Sequence, residues 1–431
     1  MKLAKTIAIS LLCLTVCGAT AYGAQSGLTA ANTNNSTITQ SSATAADAEN
    51  TAAAASQNDS PGADAASGSS FQGLTTLIDT SSLFTERDLK QTADTADATQ
   101  IALTDGQDVT ISAEGVYFLT GSAENATIIV EAADTDKIQL VLDGVTITNQ
   151  NAPAIYVKSA DKVFVTSAGE NVLSTTGALG ADGTTDLDAV IFSKSDLVLN
   201  GTGSLTISST ANGISGKDDL KFTGGTYTIT AAKDAVEAHD SIRISDGTFT
   251  IDAGKDAFHS EDEDDDSVGY IYIAGGSFEI KAGDDAIQGT TYTIVDGGSF
   301  TITAAEGIEG TGVQINSGSV TITASDDAIN AAGKTSKFSP FIEINGGRIT
   351  IDMGQGDTDA IDCNGDLTIN GGTIDITAQS AFDYDGTGAL NGGTITVNGS
   401  AATSLAQTGP GGAMGGFQNG SGSFGSRGGR F

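Results

Sequence analysis

Apolar and polar residues alternate in a short phrase, G-[TSR]-Φ-x-[IV] with Φ apolar, that returns along most of the chain: 203-GSLTI, 225-GTYTI, 247-GTFTI, 276-GSFEI, 298-GSFTI, 318-GSVTI, 347-GRITI, 372-GTIDI and 393-GTITV. Alternation with period two marks a strand with one buried face. The phrases start 22, 22, 29, 22, 20, 29, 25 and 21 residues apart, a period that calls for a solenoid. A second short strand precedes several of them (IRI before 247, IYI before 276, IEI before 347), joined through Gly or Asx-Gly turns. A third is expected where D-A-Φ recurs, as in 324-ASDDAINAAG-333 and 282-AGDDAIQG-289. Three strands per 20–22 residues, with no helix-length pattern, predict an all-β chain wound as a parallel β-helix. A leucine-rich repeat would need a Leu and Asn spacing that is missing.

This reading makes the long intervals interpretable. The segments 261-EDEDDDS-267 and 333-GKTSKFSP-340 become outward loops in otherwise regular coils. Leu205, Tyr227, Phe249, Phe278, Phe300, Val320, Ile349, Ile374 and Ile395 share one position in successive coils. Their alternation points them inward, as a core stack and not an aromatic platform for sugars. Residues 101–132 and 138–169 are strand-rich without a tidy period and read as irregular first coils and a cap. A short capping helix is expected around 84-FTERDLKQT-92.

The termini differ in composition. Lys2 and Lys5 precede the apolar run Ile7–Val16, and 19-ATA-21 fits a small-x-small cleavage site, so 1–21 reads as an export signal. Cys17 is a candidate lipid-modified residue, although Val16 departs from the small residue expected before it. Residues 22–82 carry few bulky side chains and read as a spacer, 83–400 as the β-helix domain, and 401–431 as a Gly-rich tail. The expected protein is a monomer, secreted or held at a bacterial cell surface, with no transmembrane segment. Cys363 has no His near it in sequence and reads as a packed side chain.

With 54 acidic residues against 19 Lys and Arg, the formal charge is −35. That sign excludes general binding to nucleic acid or anionic membrane and favours cations. The acids are also ordered. Aligning the coils sets Asp188, Asn212, Asp234, Asp256, Asp285, Glu306, Asp327 and Asp359 in one column, and Glu237, His259, Gln288, Glu309, Asn330 and Asp362 in a second three residues on. Asp284 and Asp326 double the acid in two coils. Adjacent coils lie about 4.8 Å apart. Two carboxylates at that separation repel by about 0.9 kcal/mol in bulk water and about 3.5 kcal/mol at an effective dielectric of about 20. Carboxylate and amide oxygens without a thiolate or imidazole cluster describe a hard-cation site, and Ca²⁺ tolerates irregular oxygen coordination best. Asp before a turn also accepts backbone N–H bonds with no metal, and an acidic surface keeps a β protein soluble.

The phrases 84-FTERDLKQTADT-95, 138-IQLVLDGVTITNQNAPAIYVKSADKVFVT-166 and 305-AEGIEGTGVQINSGSVTITASDDAINAAG-333, with the Gly-rich end, resemble the bacterial carbohydrate-binding domain-containing β-helix proteins, relatives of the pectate lyase fold. The similarity covers roughly 83–400. It implies a right-handed parallel β-helix, bound Ca²⁺ and binding to cell-wall polysaccharides such as polygalacturonate (pectin) or cellulose. The family's acid positions carry over onto Asp234, Asp256, Asp285, Glu306, Glu309, Asp327 and Asp359. The dense 261–266 acid loop departs from its pattern.

A polyuronate is anionic, so a chain this acidic needs Ca²⁺ to bridge protein and sugar carboxylates. The rival is a Ca²⁺-dependent pectate lyase with Lys233 or Lys255 as base and Arg243 and Arg348 nearby; carboxylates beside a Lys raise its pKa, which is wrong for a base. A structural surface adhesin would bind no glycan. The balance favours binding over catalysis.

Overall fold

A computed structural model describes residues 76–262, 265, 267–354 and 359–407. The export signal, Cys17 and most of the spacer and Gly-rich tail lie outside them. Among the described residues the chain is all-β, apart from one 3-10 turn at Thr80–Ser82. Nearly every strand pairs in parallel with a strand one coil away, so the chain repeatedly returns alongside itself.

The recurring phrase forms one long ladder. Leu205 pairs with Tyr227, Tyr227 with Phe249, Phe249 with Phe278 and Phe278 with Phe300. The register continues through Val320, Ile349, Ile374 and Ile395. All nine are buried, as the alternation requires. The rings of Phe249, Phe278 and Phe300 stack at 4.9 and 4.5 Å between centroids, both pairs 1° from parallel, as the shared register requires. From Gly225 on, the Gly that opens each phrase turns the chain at positive φ, for instance 104° at Gly298, where an added Cβ would lie 3.0 Å from the Phe300 ring.

The strands before the phrase make a second ladder and the D-A-Φ strands a third; the apolar side chains of all three meet in one continuous core. Residues 99–175, without the phrase, join the same ladders: Gly115–Glu124 pairs with Lys137–Asn149, which pairs in turn with Lys162–Ser167 and Glu170–Thr175. At one corner Asn316, Asn345, Asn370 and Asn391 form an amide ladder, in which the Nδ2 of Asn345, Asn370 and Asn391 each donates to the Oδ1 of the preceding Asn at 2.7–2.8 Å.

The expected helix near 84–92 is a single turn. Thr85 and Asp88 exchange the two bonds of a capping box, but the residues after Leu89 carry no apolar periodicity to extend it. Residues 76–92 instead run as a strap over the ladder that precedes the phrase. Leu77, Ile78, Leu83 and Phe84 pack with Tyr272 and Ile294, so the folded part reaches back into the stretch expected as spacer. Asp88 is fully buried, 3.3 Å from the Nζ of Lys221 and 3.8 Å from that of Lys162. Gln91 accepts from the Gly201 N–H and donates to the Thr223 carbonyl. At the other end Ser400–Ala402 pairs antiparallel with Thr394–Val397, and the buried Leu405 offers its carbonyl to the Tyr384 hydroxyl, so order runs past 400.

Candidate metal centre

The D-A-Φ strands place the acids. Asp285 pairs directly with Glu306. The apolar residues two positions on hold the rest in step: Ile214 pairs with Val236, Val236 with Phe258, Phe258 with Ile287, Ile308 with Ile329 and Ile329 with Ile361. Asn212, Asp234, Asp256, Asp285, Glu306, Asp327 and Asp359 therefore share one column as expected. Asp188 does not: Ala189 pairs with Asn212, which shifts Asp188 by one residue, just after the hairpin of Ala181–Asp182 and Thr185–Asp186. The second column runs Glu237, His259, Gln288, Glu309, Asn330, Asp362, and the structure extends it to Ser215 at one end and Asp383 at the other.

Turn chemistry and an open carboxylate coexist on the same residues. The Oδ1 of Asn212, Asp234, Asp256 and Asp327 each accepts the backbone N–H of the next residue in the column, at 3.0–3.2 Å. A carboxylate held by one oxygen is fixed in direction and keeps its second oxygen for another partner.

Three triads bring ligand atoms within 4.8 Å of one another: Asp234–Asp256–His259, Asp256–Asp284–Asp285 and Asp285–Glu306–Glu309. Neighbouring triads share Asp256 and then Asp285. Asp285 is 4% exposed, and its Oδ1 has no hydrogen-bond partner. Its Oδ2 accepts from Gln288 Nε2, which also donates to Glu309 Oε2 at 2.5 Å. Asn330 Nδ2 donates to Glu306 at 2.9 Å and Glu309 at 3.2 Å. Burial, then the charges of Glu309, Glu306, Asp256 and Asp284, push the Asp285 carboxyl far above the carboxylate range. Burial likewise raises Glu306, lifts Asp327 to about 7 and, with Asp359 and Asp383, lifts Asp362 to about 6. Asp326, Asp327, Asp359 and Asp362 form no triad of this closeness among the described residues.

Lysines supply part of the counter-charge. Lys255 Nζ lies 3.0 Å from Asp256 and 3.7 Å from Asp234, Lys334 Nζ 2.8 Å from Glu309, and Lys217 Nζ 3.6 Å from Glu237. Glu237 also accepts from Asn212 at 2.7 Å and so has protein donors of its own. At Lys255 burial is outweighed by the Asp256 hydrogen bond and the charges of Asp256, Asp234 and Asp284, which raise its pKa and keep it an ammonium. Lys233 is exposed, and Arg243 is tied to Asp219 at 2.6 Å. The two oxygen-only triads suit a hard cation. In the third, His259 Nδ1 is 3.6 Å from Asp256, Nε2 is 3.3 Å from Glu261, and Lys255 fills part of the space; this triad fits less well. Sequence reasoning missed Asp383 and Ser215, which extending the column by one coil would have found. It also missed Lys217 and Lys334, which carry no local signature.

A family model described as carbohydrate-binding domain-containing protein matches residues 105–360 and 305–409. A carbohydrate-binding domain-containing protein of Acetivibrio thermocellus is 35% identical over 141 residues, 32% of this chain and 48% of the relative, so the alignment spans about half the length of that relative. A solved structure, a polysaccharide lyase-like protein from C. thermocellum in a gadolinium derivative, shares 29% identity over 51% of this chain and 96% of its own, with a TM-score of 0.48. With the family model matching most of the folded length, the chain belongs to the carbohydrate-binding domain-containing proteins.

Proposed function

We propose that the protein is a secreted or cell-surface, Ca²⁺-dependent polysaccharide-binding protein, wound as a right-handed parallel β-helix, that recognises polyuronates such as polygalacturonate through its acid columns. Membership of a carbohydrate-binding family supports the ligand class. The observation that carries the metal is Asp285: a buried carboxylate with an unpartnered oxygen, aimed among Asp256, Asp284, Glu306 and Glu309. Such a group is costly without a cation and suitable with one. Asp256, Asp284 and Asp285 would hold one ion and Asp285, Glu306 and Glu309 another; Asp284 is exposed and opens the first to solvent. A bound divalent cation supplies coordination positions for sugar carboxylates, which the bare acidic face would repel.

Binding is favoured over pectate cleavage because Lys255, the better-placed candidate base, is held as an ammonium between two carboxylates. Affinity electrophoresis in polygalacturonate gels tests the reading. Retardation with Ca²⁺ that disappears in EDTA is expected, with no rise in absorbance from unsaturated ends. Equal retardation in EDTA overturns the calcium bridge.

A further inference from the structure

The triad of Asp285, Glu306 and Glu309 is met by an ammonium from outside the regular coils. Lys334 belongs to the inserted segment 333–340, and its Nζ lies 2.8 Å from Glu309 Oε2. The charges of Asp285 and Glu306 act on the same ammonium. Glu309 is 3% exposed, and its other side-chain donors are the amides of Gln288 and Asn330. Two buried oxygens beside it, Asp285 Oδ1 and Asn330 Oδ1, have no hydrogen-bond partner. Lys334 thus brings one positive charge to a set of oxygens that it does not saturate.

The segment is fixed without that ammonium. The Lys334 N–H donates to the Ala332 carbonyl at 2.9 Å and to Thr311 Oγ1 at 3.0 Å. The Thr335 N–H donates to the same hydroxyl at 3.1 Å, Thr335 is buried, and Phe338 stacks on Tyr292 at 4.7 Å. The Lys334 side chain is 31% exposed, so Nζ has a way into water while the backbone stays docked. Ca²⁺ sits about 2.3–2.6 Å from its oxygens. An ion held by Glu309 would stand almost in contact with the ammonium, where like charges repel strongly. The two cations therefore alternate. An ammonium tethered beside the site competes at a high effective concentration. If it holds the site about nine-tenths of the time, the apparent affinity for the ion falls about tenfold.

We propose that Lys334 is a built-in competitor for the cation of the Asp285–Glu306–Glu309 triad: its ammonium occupies the site when calcium is scarce and swings into solvent when calcium enters. The residue then sets the calcium concentration at which the site fills, a role that rests on the calcium reading of this triad. The test is calcium titration of the metal-free whole protein by calorimetry, with acylation of Lys334 by a small water-soluble ester, mapped by mass spectrometry, as the parallel readout. K334M binds one Ca²⁺ about tenfold tighter than wild type or more. K281M removes the same charge from the exposed pair that Lys281 makes with Asp252 at 3.2 Å, away from the triads, and shifts the affinity by less than about threefold, as a screened surface charge should. In wild type, Lys334 is acylated slowly in EDTA and several-fold faster in saturating Ca²⁺, whereas the exposed Lys137 is acylated equally in both. In D285N, calcium no longer speeds acylation of Lys334. If K334M does not fold, the wild-type acylation decides alone. A K334M protein that binds calcium no tighter than K281M, or acylation of Lys334 that calcium leaves unchanged, overturns the proposal and leaves the calcium site standing. Wild type and K334M that both bind no calcium overturn the calcium reading and the proposal with it.

Discussion

Asp88 under the strap and Asp285 in the acid column are both buried carboxylates, and their surroundings have opposite sign. Asp88 meets two ammonium groups, Lys221 at 3.3 Å and Lys162 at 3.8 Å, and its carbonyl accepts from Thr223 and Asn200. Burial alone would raise its pKa, but the Thr85 N–H and the two lysines hold it below the usual value. Asp285 faces four other acids, and its carboxyl is pushed far up. An acid that serves the fold is folded together with its cations. In the triads the lysines are too few for the acids, and the groups left over could hold a cation from solution. A buried charge alone does not distinguish the two cases; its partners do.

The largest effect expected from breaking this comparison is on the strap side. D88N leaves Lys221, 5% exposed, without its carboxylate, and removing one partner of a buried pair costs about 3–5 kcal/mol. Denaturant unfolding should show that loss with or without Ca²⁺, and limited proteolysis should cut first within 76–92. A D88N protein as stable as wild type would mean that the strap contributes no stability.

The matching change in the column should have the opposite sign. D285N removes a carboxyl that the metal-free folded protein must keep protonated while the unfolded chain ionises it, so a gain of about 1 kcal/mol or more is expected at neutral pH in EDTA. Thermal unfolding without metal should therefore rise in D285N, whereas the stabilisation that Ca²⁺ gives wild type, about 2.7 kcal/mol at a hundred times Kd, should be largely lost. If D285N is destabilised in EDTA like D88N, Asp285 is structural and the comparison collapses.

What the sequence disclosed follows from which interactions are periodic. The phrase ladder and both acid columns were legible because strand alternation and the D-A-Φ repeat impose a fixed register, and Phe249, Phe278 and Phe300 stack where that register puts them. Asp188 was misplaced because the hairpin at 181–186 interrupts the count just before it. The asparagine corner was also readable, since 316-NSG, 345-NGG, 370-NGG and 391-NGG fall one coil apart ahead of the phrases. The strap was not. T-x-x-D at 85–88 is a true capping box, yet its acid is completed by Lys221, 133 residues away, and no local pattern announces such a partner. Lys217 and Lys334 escaped for the same reason, as single residues in turns whose charge matters only after the coils have stacked.

The smallest effect, and the finest division between the two regions, is the pH dependence of the metal-free protein. Asp88, with a folded pKa below its unfolded value of about 3.9, contributes stability that is present above that pH and lost as pH falls through its folded value. Asp327 at about 7 and Asp362 at about 6 have folded values above the unfolded one. Between about pH 4 and 7 the folded state holds protons there that the unfolded chain has released, so these groups lower stability as pH rises through that window. In EDTA the melting temperature should therefore peak near pH 4–5 and decline toward 7. Saturating Ca²⁺, which competes with protons for carboxylates, should give a benefit that grows with pH and flattens the decline. D88N should remove the acid limb alone, and D285N should shrink the neutral one. A metal-free profile that rises steadily to pH 7 would mean that the column acids are already balanced within the protein and leave no charge for a cation to neutralise.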